Sequence, residues 1–186
     1  MRKNLAAKSA LYPQPVLVLG TYSEDGTPNA MTAAWGGVSG ADEITLCIGI
    51  RHKTTENFKR TGAFTVSMAV ASQLVPCDYV GLVSGKDVPD KFKRAGFHAV
   101  KSGFVNAPLI EELPLALECT VKSYDDESHQ LIGKVVNVSA DEKFLTSDGK
   151  IDLAKMQIIT YDTYGHTYCR IGEKAGNAYE DGKKLF

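Results

Sequence analysis

Three stretches run together across residues 29–57: Asn29-Ala-Met31-Thr32-Ala33-Ala-Trp35, then Ile44-Thr-Leu-Cys47-Ile-Gly-Ile50, then Arg51-His-Lys-Thr54-Thr55-Glu-Asn57. The middle one alternates strictly. Ile44, Leu46, Ile48 and Ile50 share one face and Thr45, Cys47 and Gly49 the other, the period-two pattern of a half-buried strand. After it Thr54 suits an N-cap, Glu56 a first helical turn and Gly62 a C-cap, which predicts a short helix over 55–61. Phe64, Val66, Met68 and Val70 then resume the strand pattern, so the unit is strand, short helix, strand.

The same alternation extends outward. Val16 to Tyr22 is an apolar, β-branched run ending in Asp25-Gly26, a tight-turn dipeptide, and Ala30 to Val38 is expected to return as the second arm of a hairpin. Leu115 to Tyr124 and Leu131 to Ser139 form a second pair joined by the polar Asp125–Ser128, and residues 156–161 and 167–171 add two shorter strands. Helical pieces are brief: Asp90 to Ala95 before Gly96, and residues 73–83 despite Pro76. Many short strands with few short helices predict a mainly β fold, a closed or partly closed barrel, in one domain spanning residues 1–186.

The chain has 186 residues, 44% of them hydrophobic, enough to bury a sizeable core without metals or disulfides. Its net charge of −1 comes from interspersed acids and bases and gives no footprint for nucleic acid or an anionic membrane. Cys47, Cys77, Cys119 and Cys169 form no CxxC pair and are expected to be reduced. No run approaches the roughly 20 apolar residues of a membrane span, and a cytoplasmic location is expected.

The residues suited to chemistry cluster in the opening stretch. Arg51, Thr54 and Thr55 put a cation and two hydroxyls at a helix start, where unpaired N–H groups and partial positive charge favour a phosphate. An ordinary capped helix beside a solvated arginine fits the same residues. Trp35, the only tryptophan, stands among small residues where a ring could cover a planar ligand; core packing would explain it as well. The Asn29 amide could shape the turn exit or bond a heterocycle edge.

Other chemistries find less support. Gly81-Leu-Val-Ser-Gly85-Lys86-Asp87 is the nearest approach to a Walker loop, but its leading glycine is one residue too close and an aspartate replaces the magnesium-binding hydroxyl. No GxGxxG follows a strand. His52, His98, His129 and His166 have no paired metal-ligand spacing, and no metal or acid–base catalytic set is expected. A chain without such machinery suits a cofactor that carries the electron chemistry itself.

Together Tyr12-Pro-x-Pro15-Val, Asp25-Gly26-x-Pro28-Asn29-Ala-Met-Thr32-Ala-Ala-Trp35, Arg51-x-x-Thr54, Val83-Ser-Gly85, Asp90-Lys91-Phe92 and Leu117-Glu-Cys119 resemble the flavoredoxin branch of the flavin reductase-like FMN-binding proteins. The resemblance runs from about residue 11 to Gly172. It implies a split β-barrel of Greek-key type, usually a homodimer, with FMN near the subunit interface. By position it places Asn29, Met31, Thr32, Ala33 and Trp35 along the ring and ribityl chain, and Arg51, Thr54 and Thr55 at the phosphate. Lys91, His129 and Tyr161 also match positions that approach FMN. The implied activity is transfer of hydride or electrons through FMN, with NAD(P)H or a redox protein as partner. The alternatives are a non-enzymatic electron carrier and a barrel that binds another ligand. The chain departs from the family at Ala41-Asp42-Glu43, where Asp-Pro-Pro is common, and in a compact 51–57 segment.

Overall fold

The structure is a computed structural model describing residues 1–186. Twelve strands occur: β1 (Gln14–Pro15), β2 (Leu17–Tyr22), β3 (Pro28–Ala33), β4 (Gly36–Val38), β5 (Glu43–Cys47), β6 (Ala63–Met68), β7 (Ala99–Lys101), β8 (Pro108–Ile110), β9 (Leu115–Tyr124), β10 (Gln130–Ala140), β11 (Ile159–Asp162) and β12 (Thr167–Arg170). The α-helices are α1 (Lys53–Thr61), α2 (Leu74–Leu82), α3 (Lys91–Arg94) and α4 (Leu153–Met156). Seven strands make one antiparallel sheet in the order β3-β2-β6-β9-β10-β5-β4, which curls into a half-barrel. A β1-β11-β12 sheet and a β7-β8 pair flank it.

The curl has local causes. β10 changes register against β9 between Ile132 and Gly133 and again between Val135 and Asn137, and such bulges bend a strand and raise its twist. At Gly133 a Cβ would lie 2.4 Å from the tip of the Phe64 ring, so glycine leaves room for that ring against β10. β2 is buried on both faces. Leu17 and Leu19 belong to one core with Phe58, Phe64 and Leu131, while Val16 and Val18 belong to a second with Val80, Phe92 and Ile159. Burial on both faces explains why this strand reads as a continuous apolar run.

Three expectations change. Residues 30–38 are not one hairpin arm: β3 pairs with β2, and the chain then crosses so that β4 pairs with β5 at the opposite edge of the sheet. Periodicity does not distinguish the two because both are extended. The helix begins at Lys53, with His52 as N-cap and no side-chain cap, so Thr54 sits inside the first turn. Its hydroxyl is drawn into a buried polar network instead. In the 156–161 run only Ile159 onward is strand; Met156 ends α4 and Gln157 takes a left-handed conformation. The Gly62 cap, the helix through Pro76 and the β9–β10 hairpin stand as read.

Candidate functional site

β3 is an edge strand, so one side of its backbone is free, and two helices close over that side. α1 reaches it through a buried polar network. The Asn29 amide donates to the Thr54 hydroxyl at 3.0 Å and to that of Thr21 at 3.4 Å; the Asn57 amide donates to Thr21 at 3.1 Å. All four residues are at most 4% exposed. Hydrogen bonding offsets the cost of burying these amide nitrogens and hydroxyls and fixes the start of α1 relative to β2 and β3, while the Asn29 and Asn57 side-chain oxygens stay buried and unpaired. Thr55 adds a bond to the Gly49 carbonyl at 2.8 Å.

α2 approaches from the other side. The Thr32 hydroxyl donates to the Cys77 carbonyl, and Gly81 packs so closely that a Cβ there would stand 3.0 Å from Thr32 Cβ. Lys91, at the start of α3, is only 2% exposed and donates to the Val80 and Val83 carbonyls at 2.9 and 2.8 Å. An ammonium at a helix C-terminus satisfies its orphan carbonyls and complements its dipole. Burial also lowers the Lys91 pKa to about 8. The bonded lysine holds the turn at 83–85 over the cavity.

The cavity between them measures about 390 Å³, within the usual range for a small-molecule site. Of the residues singled out from sequence it brings together Asn29, Met31, Thr32, Ala33, Trp35, Thr54 and Lys91. Four others stand apart. Arg51 is exposed and outside the lining, Thr55 is buried beneath the helix start, and His129 lies behind Ile48, whose N–H it accepts at 2.8 Å. Tyr161 lines a neighbouring cavity. The lining also includes His52, Lys53, Cys47 and the Gly81–Gly85 segment, which sequence reading had not placed on the ring or phosphate. The signal for that segment is Val83-Ser-Gly85 of the family resemblance, which carries no stated ligand contact in the sequence alone.

One end of the cavity is built for an anion. No hydrogen bond is donated by the backbone N–H of Lys53, Thr54, Ser84 or Gly85, and the Lys53 side chain lines the same end, its ammonium paired with the Glu56 carboxylate at 2.5 Å. Successive free N–H groups at a helix start and in a turn make an anion cradle. Gly85 is required there, because a Cβ would fall 2.3 Å from Asn29 Oδ1. His52 is held below the usual imidazole pKa by desolvation at the cavity wall and by the charges of Lys91 and Lys86, so it is neutral near pH 7. The other end is open, with Ala33 at the end of the edge strand, Ala34 just beyond it and Trp35, 49% exposed, at its rim.

Comparison with known proteins adds the following. Residues 9–154 match the model of the flavin reductase-like domain. The structure is similar to flavoredoxin of Desulfovibrio vulgaris (Miyazaki F), 32% identical, with a TM-score of 0.93 over 98% of this chain and 100% of that one. It is similar also to flavoredoxin from Methanosarcina acetivorans, 26% identical, with a TM-score of 0.88 over the whole of both chains. A likeness in fold alone extends to nitrilotriacetate monooxygenase component B from Bacillus cereus, 20% identical, with a TM-score of 0.76 over 90% of this chain and 89% of that one.

Proposed function

The chain belongs to the flavin reductase-like domain family, and from that premise we propose that it is an FMN-binding oxidoreductase whose cavity holds the phosphate at the Lys53–Thr54 and Ser84–Gly85 turns and the ring along Ala33–Trp35. The observation that carries this reading is the pairing, in one cavity, of four unpartnered N–H groups with a flat apolar edge. A dianionic phosphate with many acceptor oxygens fits the first, and a planar heterocycle fits the second. FMN, when bound, supplies the redox chemistry.

The residues have separate tasks. Lys53 and the turn amides anchor charge. Asn29 and Thr54 keep those amides aimed at the cavity, and Lys91 keeps the 83–85 turn closed over it. Trp35 limits water at the rim, where a reaction partner must approach. Lys53 replaces Arg51 as the cation of this proposal because it lines the cavity and Arg51 does not.

A flavin carrier that exchanges electrons only with protein partners is the second reading, favoured by the likeness to two flavoredoxins over essentially the full chain. One experiment addresses both. Purified protein incubated with excess FMN and desalted is expected to keep the flavin spectrum, and a colourless product would overturn the proposal. Bleaching by NADH or NADPH supports the reductase, while bleaching by dithionite alone supports the carrier. Pairing of two copies belongs to the same proposal: Val38, Val136 and Val138 leave apolar surface exposed on β4 and β10, and gel filtration with light scattering is expected to show a dimer.

A further inference from the structure

We infer that Glu24, Asp25 and Glu56 are specificity-determining residues that restrict the candidate cavity to a flavin ending in a single phosphate and work against an adenine dinucleotide; this rests on the flavin reading above. A second cavity of about 630 Å³ adjoins the first and shares Asn29, Lys53 and Gly85 with it. The two therefore meet at the anion end, where the phosphate is proposed to lie. A ligand continuing beyond that phosphate would enter the second cavity, which is the larger of the two. Selection there is a matter of charge and stacking, not of space.

The β2–β3 turn supplies an acidic wall. Gly26 takes a left-handed conformation with φ of 82°, its N–H donates to the Ser23 carbonyl at 3.0 Å, and the Asp25 carboxylate accepts from the Thr27 N–H at 2.9 Å. These bonds hold Glu24 and Asp25 in the lining of the second cavity. Lys53 and Lys86 line the same cavity, but both pair with one carboxylate, Glu56, at 2.5 and 3.7 Å, and Glu24 and Asp25 are left without an ion pair. The Thr27 N–H holds the Asp25 carboxyl below the usual range, and the Lys53 contact does the same for Glu56, so both are ionised at neutral pH. Three carboxylates thus stand against two ammonium groups, a formal charge of −1 where a second phosphate would sit.

The charge distribution of the ligand gives this wall its effect. A phosphate monoester carries close to two negative charges on one group, whereas a dinucleotide's pyrophosphate carries one on each phosphate. Replacing the first ligand by the second moves one negative charge out of the N–H cradle at Lys53–Thr54 and Ser84–Gly85 and into the acidic rim. The adenine finds no compensation there. Bases are commonly held by stacking on aromatic rings, and no aromatic side chain lines the second cavity. A ligand that ends at its first phosphate meets only the cradle.

The test measures the affinities of the full-length protein for FMN and for FAD by equilibrium dialysis, read from flavin absorbance. FMN is expected to bind at least about tenfold more tightly than FAD at low salt. The double variant Glu24→Gln, Asp25→Asn keeps an oxygen for the Thr27 N–H and should narrow that ratio about fivefold. Raising the salt from about 0.01 M to about 1 M should narrow it as well, since the Debye length falls from about 30 Å to about 3 Å. A ratio near one or below, or a ratio that either the double variant or salt leaves unmoved, overturns the inference and leaves the flavin reading standing. A protein that takes up neither flavin overturns both.

Discussion

The two ends of the candidate cavity are built differently. At the anion end, the groups facing the cavity rest on Thr21, Asn29, Thr54 and Asn57, a hydrogen-bonded set inside the protein. At the flat end, Ala33 closes the edge strand β3, Ala34 and Trp35 continue into the crossover to β4, and the tryptophan is half in solvent. Preorganised donors bind without first having to be ordered, and an open edge lets a second molecule reach the reacting plane. The contrast suggests that affinity is set at the interior end and reactivity at the rim.

The largest expected effect comes from loosening the interior end at its root. Phe58 is fully buried on α1 against Phe64 and Tyr124, at centroid distances of 6.2 and 5.2 Å. Phe58→Ala should cost about 3–5 kcal/mol of stability. Urea denaturation checks this, and a loss below about 1 kcal/mol would show that α1 does not depend on this ring.

Next, Asn29→Ala removes the amide shared by Thr21 and Thr54. It should cost about 1–3 kcal/mol, since buried hydroxyls lose partners. Trp35→Ala, at an exposed position, should leave stability within about 0.5 kcal/mol yet change the bound flavin's absorbance and fluorescence. If both variants moved the same readout, the division between the ends would fail.

Gly85→Ala sharpens it further, because its Cβ would collide with Asn29 Oδ1 and push the turn away from the anion cradle. FMN affinity should drop about tenfold, equivalent to about 1.4 kcal/mol, with the urea midpoint nearly unmoved. Unchanged affinity would place the phosphate elsewhere.

The smallest effect is a pH dependence. His52 has a folded pKa below its unfolded value, so below about pH 6.5 the unfolded chain binds the extra proton and stability falls. His98, raised by its contact with Glu112, acts in the opposite sense: its contribution is present below that pH and is lost as pH rises through the folded pKa. The difference between the parent protein and His52→Gln isolates the first effect. The variant should lose less stability between pH 7 and 5.5, and parallel curves would remove His52 from the account.

Much of the fold was legible from local pattern. Alternation located β5, β6, β9 and β10, and Gly62 marked the end of α1, because strand faces and left-handed caps are set by neighbouring residues. Local pattern could not show that β4 leaves β3 for the far edge of the sheet. The same extended conformation serves either pairing, and only the assembled sheet chooses.

The site divides along the same line. Asn29, Thr32, Trp35 and Thr54 were readable as residue types suited to a phosphorylated planar ligand, since their chemistry is carried in the side chain. That Lys53 and not Arg51 lines the cavity follows from where α1 starts and which way its first turn faces. That the 83–85 turn closes the anion end, held by a buried lysine from another helix, depends on hydrogen bonds between segments distant in sequence. The amino-acid sequence thus determined the strands and the kinds of group available. Tertiary structure decided which of those groups meet, because backbone donors acquire a direction only when the elements carrying them are packed.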